Sequence, residues 1–168
     1  WLIVPRHPQR VNEVAQSIAQ QGFAVSRRSS WAQTKDAQPP FNAPTPTILL
    51  GDSMGEMALY YSLSQVALLG GSFEPLGGQN LIEAAACACP VVMGQHTFNF
   101  AEASEAAVNC GAAFRASNMF SAIERAVELA ISKQAHQEVA NAALLFAAQH
   151  GGATDRTVSA AGKWLDAT

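Results

Sequence analysis

Two glutamates, one asparagine and one arginine stand in turns that follow apolar runs, and their types and spacing suit chemistry. Asn80-Leu81-Ile82-Glu83 opens a helix just after Gly77-Gly78, and Ser53-Met54-Gly55-Glu56 repeats the spacing just after Gly51. Asn or Ser followed three residues later by Glu is the pattern of a capping box, in which side chains satisfy the free N–H groups of a first turn. A carboxylate at a helix start can equally accept hydrogen bonds from ribose hydroxyls, so each motif reads as a cap or a ligand contact. Arg6 sits between Pro5 and Pro8 at the end of an apolar run. It is either a solvated loop residue or a rigidly presented guanidinium whose fork bonds two phosphate oxygens. His7 and His96 occupy similar loops, but neither has an adjacent nucleophile or orienting acid, so no general base is assigned. Phe98 and Phe100 flank Asn99 and are expected to pack in the core, with contact to a base or to a facing domain as the alternative.

The elements that must position these residues alternate. Strands are expected at Trp1 to Val4, Phe23 to Ser26, Thr47 to Leu50, Val66 to Leu69, Pro90 to Met93 and Ala112 to Arg115. Between the first two, Val11, Val14, Ala15, Ile18 and Ala19 recur at helical spacing until Gly22 stops the run. Further helices are expected from Met54 to about Ser62, from Leu81 to Ala88, and before Cys110-Gly111. The last third reads as three helices, Asn118 to Ser132, Gln134 to His150 and Thr154 to Asp166. Ser29 to Pro46 is polar and rich in proline, and reads as a surface loop. Apolar strands alternating with helices imply a parallel sheet covered on both faces. In such a sheet the strand-to-helix turns lie on one edge, where ligands bind. Four turns then share that edge: Pro5-Arg6-His7, Gly51 to Glu56, Gly70 to Glu83, and Gly94 to Phe98.

The turn from Val66 to Glu83 is the centre of this expectation. A strand ends in Gly70-Gly71, a second pair follows at Gly77-Gly78, and a helix begins. Backbone N–H groups at a helix start favour an anion, and glycines let a phosphate approach the backbone.

Composition narrows the partners. With 168 residues, 49% hydrophobic and 14% charged, and a net charge of −3, the chain suits one packed domain and not a nucleic-acid-coating segment. Cys87, Cys89 and Cys110 are an odd set without metal-ligand spacing, and are expected to be small buried hydrophobes in a reducing compartment. No metal site or cofactor is expected. No apolar run reaches the ~20 residues that span a bilayer. The chain opens directly on a strand, and is expected to be one domain of a longer protein. Gly-x-Gly-x-x-Gly after the first strand, the phosphate-loop motif and the Gly-x-Ser-x-Gly elbow are all absent, which argues against a dinucleotide oxidoreductase, a phosphate-loop nucleotidase and a serine hydrolase.

Five ordered runs carry a resemblance. Pro5-Arg6-His7-Pro8, Gly51-Asp52-Ser53-Met54-Gly55-Glu56, Gly70-Gly71-Ser72, Gly77-Gly78-Gln79-Asn80-Leu81-Ile82-Glu83-Ala84-Ala85-Ala86 and His96-Thr97-Phe98-Asn99-Phe100 match in order and spacing. From Ile3 to about Phe100 the chain resembles the C-terminal half of the bacterial 3-deoxy-D-manno-octulosonic acid (Kdo) transferases of lipopolysaccharide synthesis. The family usually has His where Gln79 stands and Pro where Leu81 stands.

The resemblance implies a Rossmann-like α/β domain, a parallel sheet with helices on both faces, forming the C-terminal half of a GT-B glycosyltransferase. It implies that residues 1–168 form a single donor-binding domain, with the final helices from about 118 to 168. The donor would be CMP-Kdo, with CMP contacts on Pro5, Arg6, Met54, Gly55, Glu56, Asn80, Leu81, Ile82 and Glu83. Kdo would pass to a lipid A precursor with inversion and without a metal. Arg6 and the helix N-termini would stabilise the departing CMP phosphate. The catalytic base, the acceptor site and the attachment to the cytoplasmic face of the inner membrane would lie in the N-terminal half, leaving this part soluble and inactive alone. Val158, Trp164 and Leu165 on the last helix would face the other domain. The alternatives are the donor half of another GT-B enzyme, a UDP-sugar transferase or a sugar-nucleotide epimerase, and a non-catalytic α/β interaction domain.

Overall fold

The computed structural model describes residues 1–31 and 46–150. The helix expected from Thr154 to Asp166, with Val158, Trp164 and Leu165, lies outside the described residues, as does most of the loop expected from Ser29 to Pro46. The chain divides into two compact units, Trp1–Glu56 and Met57–Thr168, and each is taken by itself.

In the first unit, strand β1 (Leu2–Ile3) is followed by a short 3-10 turn, Pro8–Arg10, and by helix α1 (Val11–Gln20). Strand β2 (Ala24–Arg27), a single helical turn α2 (Arg28–Trp31) and strand β3 (Thr47–Leu50) complete it. The three strands are parallel in the order β1-β3-β2. Their last residues lie level, with Ile3 opposite Leu50 and Leu50 opposite Arg27. Val11 and Ile18 of α1 reach Ile48 and Leu50 of the central strand, with Val14, Ala15 and Val25 around them. The helical spacing of the apolar residues in α1 is thus the cause of its docking.

The second unit contains helix α3 (Met57–Leu63), strand β4 (Ala67–Leu69), helix α4 (Ile82–Ala86) and strand β5 (Val91–Met93). Helix α5 (Ala101–Asn109), strand β6 (Ala113–Arg115), helix α6 (Met119–Ile131) and helix α7 (Lys133–His150) follow. The sheet order is β4-β5-β6, again parallel. Period-2 alternation sends Val91 and Met93 to one face and Val92 to the other. On the first face they join Leu81, Ala84, Ala85, Ala107, Ala143 and Phe146. On the second, Val92 joins Ala122, Leu129 and Val139. Helices therefore cover both faces of this sheet, as a parallel sheet requires.

Caps explain where helices begin and end. Asn118, in an extended conformation, accepts a hydrogen bond from the Ser121 N–H at 2.9 Å through Oδ1, and Ser121 Oγ accepts one from the Asn118 N–H. That reciprocal box fixes the start of α6. Helix α4 ends earlier than the expected Ala88. The Ala88 N–H donates to Ala85 O and the Cys89 N–H to Ala84 O, while Ala88 itself takes φ 56°. This is the paired-bond stop that usually places glycine at the left-handed position.

Two further expectations are corrected. Ser29 to Trp31 are not loop but part of α2. The helix expected from Met54 begins only at Met57, so Met54 to Glu56 form a turn. No helix among the described residues is long and apolar enough to cross a membrane.

Candidate functional site

Because the strands of each unit are parallel, each sheet collects its own turns at one edge. In the first unit these are the Pro5-Arg6-His7 turn after β1 and the Gly51–Glu56 turn after β3. In the second they are the Gly70–Glu83 turn after β4 and the Gly94–Phe98 loop after β5.

Pro5 is half-buried and Arg6 exposed. Among the described residues no hydrogen bond or ion pair engages the Arg6 guanidinium. Its fork of donors could take up an anion.

Met54 is 80% exposed, and Gly55 is exposed with φ 78°. A side chain at Gly55 would be strained in that conformation, although the space around it is open. Glu56 is held from two sides. Arg28 Nη2 donates to Oε1 at 2.8 Å, and Ser53 Oγ–H donates to Oε2. The Ser53–Glu56 spacing gives a side-chain pair ahead of the helix start and not the side-chain-to-backbone bonds of the expected capping box, and Arg28 was not expected. Asp52, in the same turn, accepts from the Ser29 N–H at 2.8 Å and from Ser29 Oγ–H at 2.6 Å. Burial pushes the Asp52 carboxyl up, but these two bonds, its own backbone N–H and the charge of Arg27 outweigh it and hold the group below its ordinary value.

The Asn80–Glu83 motif forms a local ring. Asn80 Oδ1 accepts from the Ile82 N–H at 3.1 Å, and Asn80 Nδ2 donates to Glu83 Oε1 at 3.0 Å. The expected reciprocal box does not form, because the glutamate is tied to the asparagine side chain and not to its backbone. Glu83 remains exposed, with one carboxylate oxygen outside this bond. Leu81 is 1% exposed within the core, and Ile82 packs on the same cluster. Burying a leucine this fully is worth about 1.5–3 kcal/mol. The side chain of Leu81 therefore serves the fold, and only its backbone is left for a ligand. Tyr61 of α3 is pushed up to about 12 by burial, with a smaller contribution from the charge of Glu83.

The two glycine pairs have different causes. A Cβ on Gly77 would lie 2.1 Å from Asn99 Nδ2, and one on Gly78 3.3 Å from His96 O. Both residues have φ near +80°, and the Asn99 N–H donates to Gly77 O at 3.1 Å. On the side where a Cβ would project, the space beside the second pair is filled by the chain's own His96–Asn99 loop, which is a packing reason for glycine at both positions. In the first pair nothing lies within 4 Å of a Cβ built on Gly70, whereas one on Gly71 would sit 3.5 Å from the Gln79 side chain. Gln79 Oε1 accepts from the Gly71 N–H at 3.3 Å and spans the turn between the pairs.

The His96–Asn99 loop is pinned in its turn. Ser72, fully buried, donates through Oγ to Leu69 O and accepts the Gly94 N–H at 2.7 Å. Arg115 at the end of β6 donates to Gly94 O at 3.0 Å, Thr97 Oγ1 at 3.1 Å and Glu105 Oε1 at 2.5 Å. His7 and His96 are both exposed. Phe100 packs on the core, as expected, but Phe98 is 64% exposed against Gly77. Of the cysteines only Cys89 is buried; Cys87 is half-buried and Cys110 exposed, which corrects the expectation of three buried thiols. Among the described residues no three His, Cys, Asp or Glu side chains gather as a metal site would need. An open groove of about 690 Å³ lies in the first unit beside α1 and β2, lined by Asn12, Gln16 and Arg27 among others. None of the nine candidate residues lines it.

The chain is 44% identical over 164 residues to the 3-deoxy-D-manno-octulosonic acid transferase of Bordetella pertussis, covering 98% of this chain and 37% of the relative. It is 36% identical over 166 residues to the transferase of the same name from Haemophilus influenzae, with the same coverage. It therefore spans little more than a third of the length of these curated relatives. No protein-family model matches it. Among solved structures, the C-terminal CMP-Kdo binding domain of WaaA from Acinetobacter baumannii superposes with a TM-score of 0.76 at 29% identity, over 86% of this chain and 72% of that one. The α/β fold, the ordered motifs and these similarities agree: the chain belongs to the 3-deoxy-D-manno-octulosonic acid transferase family, and corresponds to its C-terminal domain.

Proposed function

We propose that residues 1–168 serve as the donor-binding domain of a Kdo transferase and bind CMP-Kdo. One observation carries this reading. The solved domain that this chain resembles in fold, at 29% identity, is a CMP-Kdo binding domain. The proposed CMP contacts are Pro5, Arg6, Met54, Gly55 and Glu56, with Asn80, Leu81, Ile82 and Glu83. Leu81 and Ile82 would act through the backbone and Met54 through its exposed side chain.

In this reading Arg6 supplies the positive charge that a phosphate leaving group needs. Charge builds on the CMP phosphate as the bond to the sugar breaks, and an unpaired fork placed beforehand lowers that barrier without reorganisation. Helices α3 and α4 are short, at 7 and 5 residues, so their dipoles add less than Arg6 does. Transfer to a lipid A precursor, inversion at the anomeric carbon and independence of metal follow from the resemblance alone. So do a catalytic base and an inner-membrane attachment in the N-terminal half, and hence a fragment that binds donor without transferring sugar.

Calorimetric titration of this chain with CMP and with UDP tests the reading. Saturable binding of CMP, with UDP at least about tenfold weaker (1.4 kcal/mol), is expected. Binding of UDP without CMP would assign the domain to another class of nucleotide-sugar transferase. No binding of either would leave an α/β interaction domain.

A further inference from the structure

Strand β2 ends level with β3, so its last residue delivers α2 to the same edge as the Gly51–Glu56 turn. Two consecutive residues of α2 then clasp that turn. Arg28 bonds Glu56 at 2.8 Å, and Ser29 bonds both carboxylate oxygens of Asp52 through its N–H and hydroxyl. Between Asp52 and Glu56 lie Ser53, Met54 and Gly55, so the clasp fixes both ends of the turn.

The Arg28–Glu56 pair is shielded, with side chains 28% and 25% exposed, and Arg28 is also 5.6 Å from the ring centroid of Trp31. Each contact limits the other's freedom. By contrast the Arg10–Glu13 pair of the same unit is 61% and 65% exposed, where water weakens an ion pair. With Ser53 Oγ on its second oxygen, both carboxylate oxygens of Glu56 are engaged. A glutamate left free would pay rotamer entropy each time it met a ligand, and one held in place would not.

We propose that Arg28 and Ser29 are positioning residues for donor binding: they hold the Met54–Glu56 turn, through Glu56 and Asp52, in the shape that receives the nucleotide. This inference rests on the donor-binding reading of that turn. Neither residue touches the ligand. Their contribution is to preorganise groups that do.

A double-mutant cycle on CMP affinity tests it, measured by calorimetry on this chain with CMP as the probe. Arg28→Met is expected to weaken CMP binding about tenfold, and Arg28→Lys, which keeps the charge but not the fork, by a smaller factor. Ser29→Ala is expected to weaken it about threefold, and Arg10→Ala not at all. In the Glu56→Ala background, which leaves Arg28 no acceptor at that position, Arg28→Met should cost almost nothing more, because its effect passes through Glu56.

Two binding results would overturn the inference while leaving the donor reading intact. One is an Arg28→Met variant that melts earlier but binds CMP as the parent does, which would make the clasp a brace for the sheet only. The other is a full loss in the Glu56→Ala background, which would make Arg28 a direct contact. Amide spectra without nucleotide separate the two levels. Arg28→Met should shift the Met54, Gly55 and Glu56 resonances, and unmoved resonances would contradict the clasp even where CMP binds. A parent chain that binds no CMP would overturn the donor reading and the inference with it.

Discussion

At the scale of single residues, Glu83 poses the sharpest question, because its place at the start of α4 suits two roles. Its bond to Asn80 Nδ2 is exposed and local, and losing such a contact costs at most about 1 kcal/mol of stability. A ligand contact would lose more in binding than in folding. Glu83→Ala is therefore expected to weaken CMP binding about tenfold while lowering stability by less than about 1 kcal/mol. Melting and calorimetry on the same variant check it; unchanged affinity would leave Glu83 as part of the helix start alone. The thiols offer a second test at this scale. Burial, with the neighbouring Cys87 adding to it, pushes the Cys89 thiol up to about 12, whereas Cys110 is exposed. At pH 8 an alkylating reagent should label Cys110 in the native chain and Cys89 only after denaturation, as mass mapping would reveal. Labelling of Cys89 at the native rate of Cys110 would contradict its burial.

At the scale of elements, the stop of α4 carries a cost that can be removed. Ala88 holds the left-handed conformation at φ 56°, which glycine adopts without strain. Ala88→Gly is expected to stabilise the chain by up to about 1 kcal/mol, read as a higher denaturation midpoint, provided the lost methyl packs against little. A lower midpoint would mean that the methyl contributes more than the strain costs. Much of this level was legible in the sequence. Apolar periodicity located α1, and the tripeptide-scale apolar runs located β3, β4 and β5, because those patterns are local. What was not legible depends on contacts across the chain. The clasp of Arg28 and Ser29 joins residues 28 and 23 positions apart, and nothing in a proline-rich stretch announces it. The second glycine pair says only that space is needed, not what occupies it. The loop bearing Asn99 and Thr97 fills that space, and no local pattern reveals it. Leu81 stood in a motif with polar neighbours, and its burial follows from the sheet it meets, not from its own window.

At the scale of the molecule, two parallel sheets bring their turns to the edges where α/β folds bind ligands. The chain spans 37% of the length of the curated relatives it matches. Donor recognition is the part of their activity proposed for it, and Arg6, without an ion-pair partner among the described residues, is the residue that reading depends on most. A map of amide shifts during a CMP titration of this chain tests the claim most directly. The account expects saturable shifts on Arg6, on Met54 to Glu56 and on Asn80 to Glu83, with the amides that line the groove beside α1 and β2 unmoved. Shifts confined to that groove, or none at saturating CMP, would contradict it.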